Sequence, residues 1–164
     1  INMARDFPRK PLQSDPNWSS IDSQKIRSAI IQTKYGKIIL ELWPNLAPIT
    51  VGNFANLADQ GFYNGQLFHR VLPDFVVQTG KGKNGHPGWA IPDELNAIPF
   101  EKGTLGMALH DHNSGGSQFF ITLSPQPHLI AEYPAFGKIT QGKHILDQLK
   151  PHDMIESITI ERLK

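Results

Sequence analysis

The chain has 164 residues, of which 39% are hydrophobic and 19% are charged, and its formal net charge is +1. This length favours one domain with a full core, and the small net charge argues against a nucleic-acid binder, which would carry a basic face. The absence of cysteine excludes disulfides and thiolate chemistry, and no apolar run approaches the roughly 18 residues that cross a membrane, so we expect no membrane insertion.

The first part of the chain differs in composition from the rest. Residues 1–24 are rich in proline, serine and asparagine and have no sustained periodicity, which predicts an extended arm or linker. Trp18 and Ile21 are its candidate anchors to the domain. The folded domain is expected over residues 25–164.

Order begins with two β-rich runs and a helix. Ile26–Thr33 and Lys37–Leu42 flank a Tyr-Gly turn and predict a hairpin. The stretch NLAPITVGNFANLADQG (45–61) predicts an amphipathic helix, because Pro48 suits a first turn and Gly61 suits a C-terminal stop.

Short strands separated by glycine-rich turns make up most of the remaining chain. The predicted strands are Leu67–Val71, Phe75–Thr79, Thr104–Ala108, Phe119–Leu123, Ala135–Ile139 and a final Met154–Leu163. A second short helix is expected at Gly142–Leu149. Many short strands and few helices indicate a mainly β chain, a closed antiparallel barrel with helices over its ends.

Three local patterns suggest chemistry that their context does not support. GKGKNG (80–85) fits a dinucleotide fingerprint, but Pro87 and Pro92 follow where that motif needs a helix. HDH (110–112) contains metal-ligand residue types, but a polar loop is the simpler interpretation. Ser114, Ser117 and His128 are not part of a G-x-S-x-G nucleophile turn.

Three longer segments carry a family resemblance. FHRVLPDFVVQTG (68–80), GTLGMALHDHNSGGSQFFITLSPQPHL (103–129) and YPAFGKITQGKHILDQL (133–149) resemble the cyclophilin family of peptidyl-prolyl cis-trans isomerases, in that family's order and near its spacing. The resemblance extends from about Ile26 to the end. It implies an eight-stranded antiparallel β-barrel capped by two helices, an isomerase that needs no cofactor, and no metal.

The resemblance also assigns roles to individual residues. It implies catalytic roles for Arg70, Gln78 and Phe75, with Arg70 as the catalytic arginine. The residues that it implies for substrate binding are Val76, Ala108, Leu109, Gln118, Phe120, His128, Leu129 and Tyr133. Among these, Val76, Phe120 and Leu129 complete a proline pocket with Phe75. Ala108 and Leu109 match the strand that pairs with the substrate backbone.

The sequence departs from the family pattern at a few of these positions. His128 stands where the eukaryotic members have tryptophan, and Tyr133 stands where they have histidine, while Leu109 replaces a common asparagine. Because that tryptophan helps to hold cyclosporin, weaker cyclosporin binding is expected. The short 80–92 loop and the PQPHL and AEYPAFG segments resemble C-terminal domains of larger bacterial proteins, which favours an excised domain and the bacterial periplasm or cell envelope.

The implied substrates are proline-containing peptides and unfolded or partly folded proteins, and a monomer is expected. Rotation about an X-Pro bond makes and breaks no covalent bond, so neither a nucleophile nor a metal is required. Two other classes remain open: a catalytically idle module that binds proline-containing peptides or a partner domain in the same groove, and a barrel with an internal apolar ligand. A filled interior argues against the ligand barrel, and its bulky candidates are Ile38, Leu40, Phe54, Phe136 and Ile158.

Overall fold

A computed structural model describes residues 22–164 of the chain, so residues 1–21 of the expected arm, with Trp18 and Ile21, lie outside the described part. The strands are β1 (Ile26–Thr33), β2 (Gly36–Leu42), β3 (Arg70–Leu72), β4 (Val76–Thr79), β5 (Thr104–Met107), β6 (Phe119–Thr122), β7 (Ala135–Gln141) and β8 (Ser157–Arg162). The helices are α1 (Pro48–Asp59) and α2 (Lys143–Leu146), and Ser23–Lys25 and Pro127–Leu129 form short 3-10 turns.

The eight strands form one antiparallel sheet in the order β3-β4-β6-β5-β7-β2-β1-β8. The mainly β prediction with two helices is confirmed, but "closed" overstates the pairing. Edge strands β3 and β8 do not form a ladder with each other. An isolated bridge between Leu67 and Met154 joins the two edges. Phe68 N–H also donates to the Asp153 carbonyl at 2.8 Å. The segments that precede β3 and β8 therefore connect the two edges of the curled sheet.

The contact between the two edges explains why two predicted strands, the third and the last, were too long. Leu67 and Phe68, expected in the third strand, bond to the 152–155 segment instead, so β3 begins at Arg70. Met154, expected to start the last strand, is the other side of that bridge, and β8 begins at Ser157.

The hairpin and the main helix agree with the sequence patterns. Thr33 pairs with Gly36 across a two-residue turn, and α1 begins at Pro48 and ends just before Gly61, which has a positive φ of 74°. The N-terminus of α1 has no capping side chain of its own. Instead Glu94, 44 residues later in the chain, accepts from the Thr50 amide at 2.6 Å and from the Ile49 amide at 3.1 Å. A distant carboxylate thus satisfies donors that the helix leaves open.

The inner face of the sheet encloses a packed apolar core. Phe54 of α1 meets Phe119 edge-on at 5.2 Å and Phe136 at 5.6 Å between ring centroids. All the bulky residues expected inside are buried there: Ile38, Leu40, Phe54, Phe136 and Ile158. The five side chains that were expected to fill the interior therefore lie in the core.

The segments with misleading motifs form loops. Residues 82–88 consist of turns and bends, so GKGKNG does not open a helix. Residues 110–113 form a bend and turn, and the described chain contains no group of three His, Asp or Glu residues placed to hold a metal ion. Neither helix in residues 22–164 has the length and apolar character needed to cross a bilayer.

Candidate active site

A row of directly paired residues crosses the outer face of the sheet. Arg70 of β3 pairs with Gln78 of β4, Gln78 pairs with Phe120 of β6, and Phe120 pairs with Gly106 of β5. Directly opposed residues in neighbouring strands project from the same face. The fold therefore places a guanidinium, an amide and an aromatic ring side by side, although their sequence positions span 50 residues.

An apolar cluster surrounds this row and is separate from the interior core. Its buried members, called here the outer cluster, are Val76, Phe100, Ala108, Phe120, Leu129 and Ala135, with Phe75 and Tyr133 partly buried against it. Val77 and Phe119, the neighbours of Val76 and Phe120 in sequence, belong to the interior core. Because successive side chains of a strand face opposite ways, one of the two adjacent phenylalanines lies in the core and the other in the outer cluster.

Gly106 allows Phe120 to lie close to the sheet. A Cβ at Gly106 would be 2.3 Å from Phe120 Cζ and 2.8 Å from Phe100 Cε1, so no other residue fits without moving the rings. Phe100 stacks on Phe120 with centroids 5.5 Å apart and planes inclined by 28°. The backbone at Gly106 and the ring of Phe100 therefore restrict the position of the Phe120 ring.

Two buried glutamines connect the row to the glycine-rich loop. Gln78 Nε2 donates to Gln118 Oε1 at 3.0 Å, and Gln118 Nε2 donates to the Gly85 carbonyl at 2.8 Å. Both side chains are almost wholly inaccessible to solvent, where each hydrogen bond restricts the amide to one orientation. The arrangement holds Gln78 rigidly beside Arg70.

Aromatic side chains form the exposed edge of the site. Phe75 lies in the turn between β3 and β4 and stacks against exposed His128, with centroids 5.8 Å apart and planes inclined by 13°. Half-buried Tyr133 meets Phe120 edge-on at 5.6 Å. Burial and Glu132 raise the pKa of the Tyr133 phenol, whereas the positive charge of Arg70 opposes that rise. The phenol therefore lies within the electrostatic reach of the guanidinium.

The residues expected to meet the substrate backbone lie at the end of β5. Ala108 is buried in the outer cluster, and its amide donates to the Gln118 carbonyl at 3.0 Å. Leu109 directs its side chain toward the interior core, where it is 8% exposed. Leu129 reaches the cluster from the 3-10 turn Pro127–Leu129.

Three members of this surface were not predicted. Phe100 comes from the loop before β5, and no sequence pattern marks it. Ala135 begins β7 and pairs with Gly106. Gly106 had a usable signal, since a glycine within a strand pattern often marks a close approach of another group.

Comparison with known proteins identifies the family of the chain. The family described as cyclophilin type peptidyl-prolyl cis-trans isomerase/CLD matches residues 28–164. A peptidyl-prolyl cis-trans isomerase of Synechococcus elongatus is 43% identical over 137 residues, which cover 80% of this chain and 94% of that protein. Isomerase B of Bacillus subtilis is 43% identical over 130 residues, covering 76% and 91% of the two chains.

Solved structures have the same fold. A cyclophilin-type isomerase of Cryptosporidium parvum, crystallised in the presence of the dipeptide Ala-Pro, superposes with a TM-score of 0.76 at 32% identity. The match covers 84% of this chain and 100% of that one. The fold and the family match define an isomerase built on one curled antiparallel β-sheet. The chain belongs to the cyclophilin family, and its activity is peptidyl-prolyl cis-trans isomerisation.

Proposed function

We propose that isomerisation takes place on the outer cluster and that Arg70 is the residue that stabilises the twisted amide. The observation that carries this proposal is the paired row of Arg70, Gln78 and Phe120, which sets a hydrogen-bond donor beside an apolar surface. Proline needs both, a dry surface for its ring and a donor at its peptide bond. The substrate class is proline-containing peptides and partly folded proteins.

The chemistry of the reaction explains why an arginine suits this position. An X-Pro bond resists rotation because twisting removes amide resonance, and the uncatalysed barrier is about 20 kcal/mol. Once twisted, the proline nitrogen regains a lone pair and accepts a hydrogen bond that the planar amide cannot. A donor placed there binds the transition state better than the ground state, which is the requirement for catalysis.

The neighbouring side chains divide the remaining work. Phe75, Val76, Phe120 and Leu129 hold the pyrrolidine ring and exclude water, and Gln78 orients the guanidinium. The planar fork of arginine also allows a second hydrogen bond to the prolyl carbonyl, which a lysine could not make in the same geometry. We place the extended substrate backbone along Ala108 and Leu109, beside Gln118, with Tyr133 and His128 at the edge.

The size of the effect is consistent with one strong donor and a dry pocket. A rate gain of about 10⁵ requires a barrier lower by roughly 7 kcal/mol. One positioned donor typically supplies about 3–4 kcal/mol. Ring immobilisation and exclusion of water supply the remainder.

The site also bears on cyclosporin. His128 is exposed and stacks on Phe75, and an imidazole offers less apolar area and a different donor geometry than the indole of the eukaryotic members. We therefore propose weaker cyclosporin binding than in a tryptophan-bearing relative. Calorimetric titration of both proteins compares the two dissociation constants directly, and equal values contradict the proposal.

A monomer is expected, and light scattering measures its mass.

The experiment for the proposed function is an isomerase assay on a proline tetrapeptide. We expect fast isomerisation by the wild type and a loss of at least a hundredfold in kcat/KM for Arg70→Ala. Arg27→Ala is the matched control, because Arg27 is exposed on β1 and, within residues 22–164, donates only to nearby backbone carbonyls at 2.6 and 2.9 Å.

Two results would contradict the proposal. Equal losses in Arg70→Ala and Arg27→Ala would show that Arg70 has no special role. A folded wild type that binds the peptide without accelerating its isomerisation would identify an idle binding module instead.

A further inference from the structure

A second cavity adjoins the proposed proline site. It has a volume of about 170 Å³ and is lined by Leu109, His110, Asp111, His112, Glu132 and Tyr133. Leu109 and Tyr133 are shared with the proposed site, so the cavity continues the same surface. A peptide whose proline ring lies on Phe120 would carry a flanking residue past the Tyr133 ring, which touches Phe120 edge-on.

The lining of this cavity is negatively charged. Asp111 and Glu132 contribute two exposed carboxylates, and none of its lining residues is a lysine or an arginine. The other polar walls are the imidazoles of His110 and His112. A cavity of this composition attracts a cation and repels an anion.

A third carboxylate lies beside His112, one of the lining residues. Asp93 has a side chain only 9% exposed, and its Oδ2 lies 3.8 Å from His112 Nδ1. The same oxygen accepts from the Asn113 amide at 3.0 Å, whereas Asp93 Oδ1 is buried without a hydrogen-bond partner among the described residues. Because water does not screen a buried carboxylate well, the charge of Asp93 adds to the negative potential around His112.

Tyr133 connects this cavity to the proposed site. It lines the cavity together with Glu132, and its ring meets Phe120 edge-on at 5.6 Å. The charges of Glu132 and Arg70 both act on its phenol, with opposite effects on the pKa. Arg70 is not among the residues that line the cavity.

We propose that this cavity is a specificity subsite for a lysine or arginine side chain of the substrate, located within two residues of the proline. The inference rests on the proposed function, because it uses the proline position on Phe120 as its reference. It narrows the substrate class from proline-containing chains in general to those with a basic residue near the proline.

The subsite should act mainly on binding. A flanking side chain keeps its contacts while the amide twists, so it stabilises ground state and transition state alike and lowers KM with little change in kcat. Exposed ion pairs are weak, so we expect kcat/KM about threefold higher for a lysine peptide than for its alanine counterpart. A glutamate peptide should be about threefold lower than the alanine one.

The test uses the whole chain and a set of tetrapeptides and pentapeptides. Lysine, alanine or glutamate is placed in turn at each of the two residues before and after the proline, and kcat and KM are measured in low salt. The preference should appear at one position or more. At 1 M salt it should fall toward unity, because exposed charges are screened there.

Variants separate this cavity from the overall charge of the protein. In Asp111→Asn/Glu132→Gln we expect the lysine-to-glutamate ratio to fall from about ten to about two. Glu156→Gln is the control, because Glu156 is an exposed carboxylate outside the cavity, and it should keep the wild-type ratio.

Each outcome decides one question. If alanine peptides are isomerised but lysine, alanine and glutamate give equal rates at every position, the subsite is wrong and the proposed function stands. The subsite is also wrong if the double variant keeps the full ratio. If no peptide is isomerised, the proposed function itself fails.

Discussion

Phe119 and Phe120 are consecutive residues of β6 with both rings wholly buried, yet their surroundings differ. Phe119 belongs to the interior core and meets two aromatic rings edge-on, Phe54 at 5.2 Å and Tyr63 at 5.3 Å. Phe120 lies in a row with Arg70 and Gln78, beside rings that remain partly exposed. The same residue type therefore serves the core on one face and a polar-edged site on the other. The core role and the site role cannot be distinguished by the buried fraction of each ring. They are distinguished by the residues that surround it.

The largest expected effect comes from truncating the two rings in turn. Phe119→Ala leaves a cavity that the core cannot fill, so the free energy of unfolding should fall by about 3–5 kcal/mol. Phe120→Ala opens onto an edge that water can reach, so it should cost less stability but reduce kcat/KM at least a hundredfold. Urea unfolding and the peptide assay measure the two quantities. If the two variants lost the same stability and the same kcat/KM, the distinction between a core ring and a site ring would be wrong.

A smaller effect is expected from the glycine beneath Phe120. Gly106→Ala places a methyl group 2.3 Å from Phe120 Cζ, so the ring must move. We expect a loss of about 1–3 kcal/mol in unfolding free energy, typical of overpacking, with a clear drop in kcat/KM. Gly65→Ala is a useful control, because a Cβ there meets nothing within 4 Å although φ is positive. It should lose stability without losing activity.

Substitution of Glu94, the carboxylate that caps α1, should change the stability of the protein and leave the candidate site unaffected. Glu94→Gln removes the negative charge at the helix N-terminus while keeping the size of the side chain. The free energy of unfolding should fall by about 1 kcal/mol, and kcat/KM should not change. Glu101→Gln, an exposed carboxylate of the same loop, provides the comparison. A matching loss in both variants would mean that the cap contributes nothing specific.

The smallest effect concerns the segment that closes the sheet. Burial alone would raise the pKa of Asp153, but hydrogen bonds from Lys34, the Lys150 amide and Tyr35 lower it below its ordinary value. Lys34 Nζ lies 2.9 Å from Asp153 Oδ1, and Tyr35 donates to Oδ2 at 2.8 Å. The folded state therefore prefers the carboxylate.

The sign of the pH dependence follows from that preference. A carboxyl group with a lowered pKa in the folded state adds stability above its unfolded pKa of about 3.9, and loses it as the pH falls through the folded value. Urea unfolding between pH 7 and pH 3 should show this loss in the wild type and a shallower one in Asp153→Asn. Identical pH slopes would rule out a contribution from Asp153.

Much of the architecture was present in the local sequence. The β1–β2 hairpin, the start of α1 at Pro48 and its end before Gly61 depend on turn chemistry and periodicity within a few residues. The alternation that separates Phe119 from Phe120 is equally local, because successive side chains of a strand face opposite ways. Strand ends were less predictable. Leu67 and Met154 look like strand residues, but the contact between distant segments decides what they pair with.

The candidate site shows the same division. The sequence resemblance picked out Arg70, Gln78, Gln118 and Phe120, but only strand register places Arg70 opposite Gln78 and Gln78 opposite Phe120. Phe100, which stacks on Phe120 from another loop, carried no local signal.

The sequence by itself determined which segments form strands and helices and which residue types were available for the reaction, since both depend on chemistry near each residue. Only the tertiary structure decided which groups became neighbours. Glu94 caps a helix 44 residues away, and the acidic cavity joins residues 109–112 to Glu132 and Tyr133. Such pairings depend on how the sheet curls, because contacts between distant residues form only when the whole chain packs.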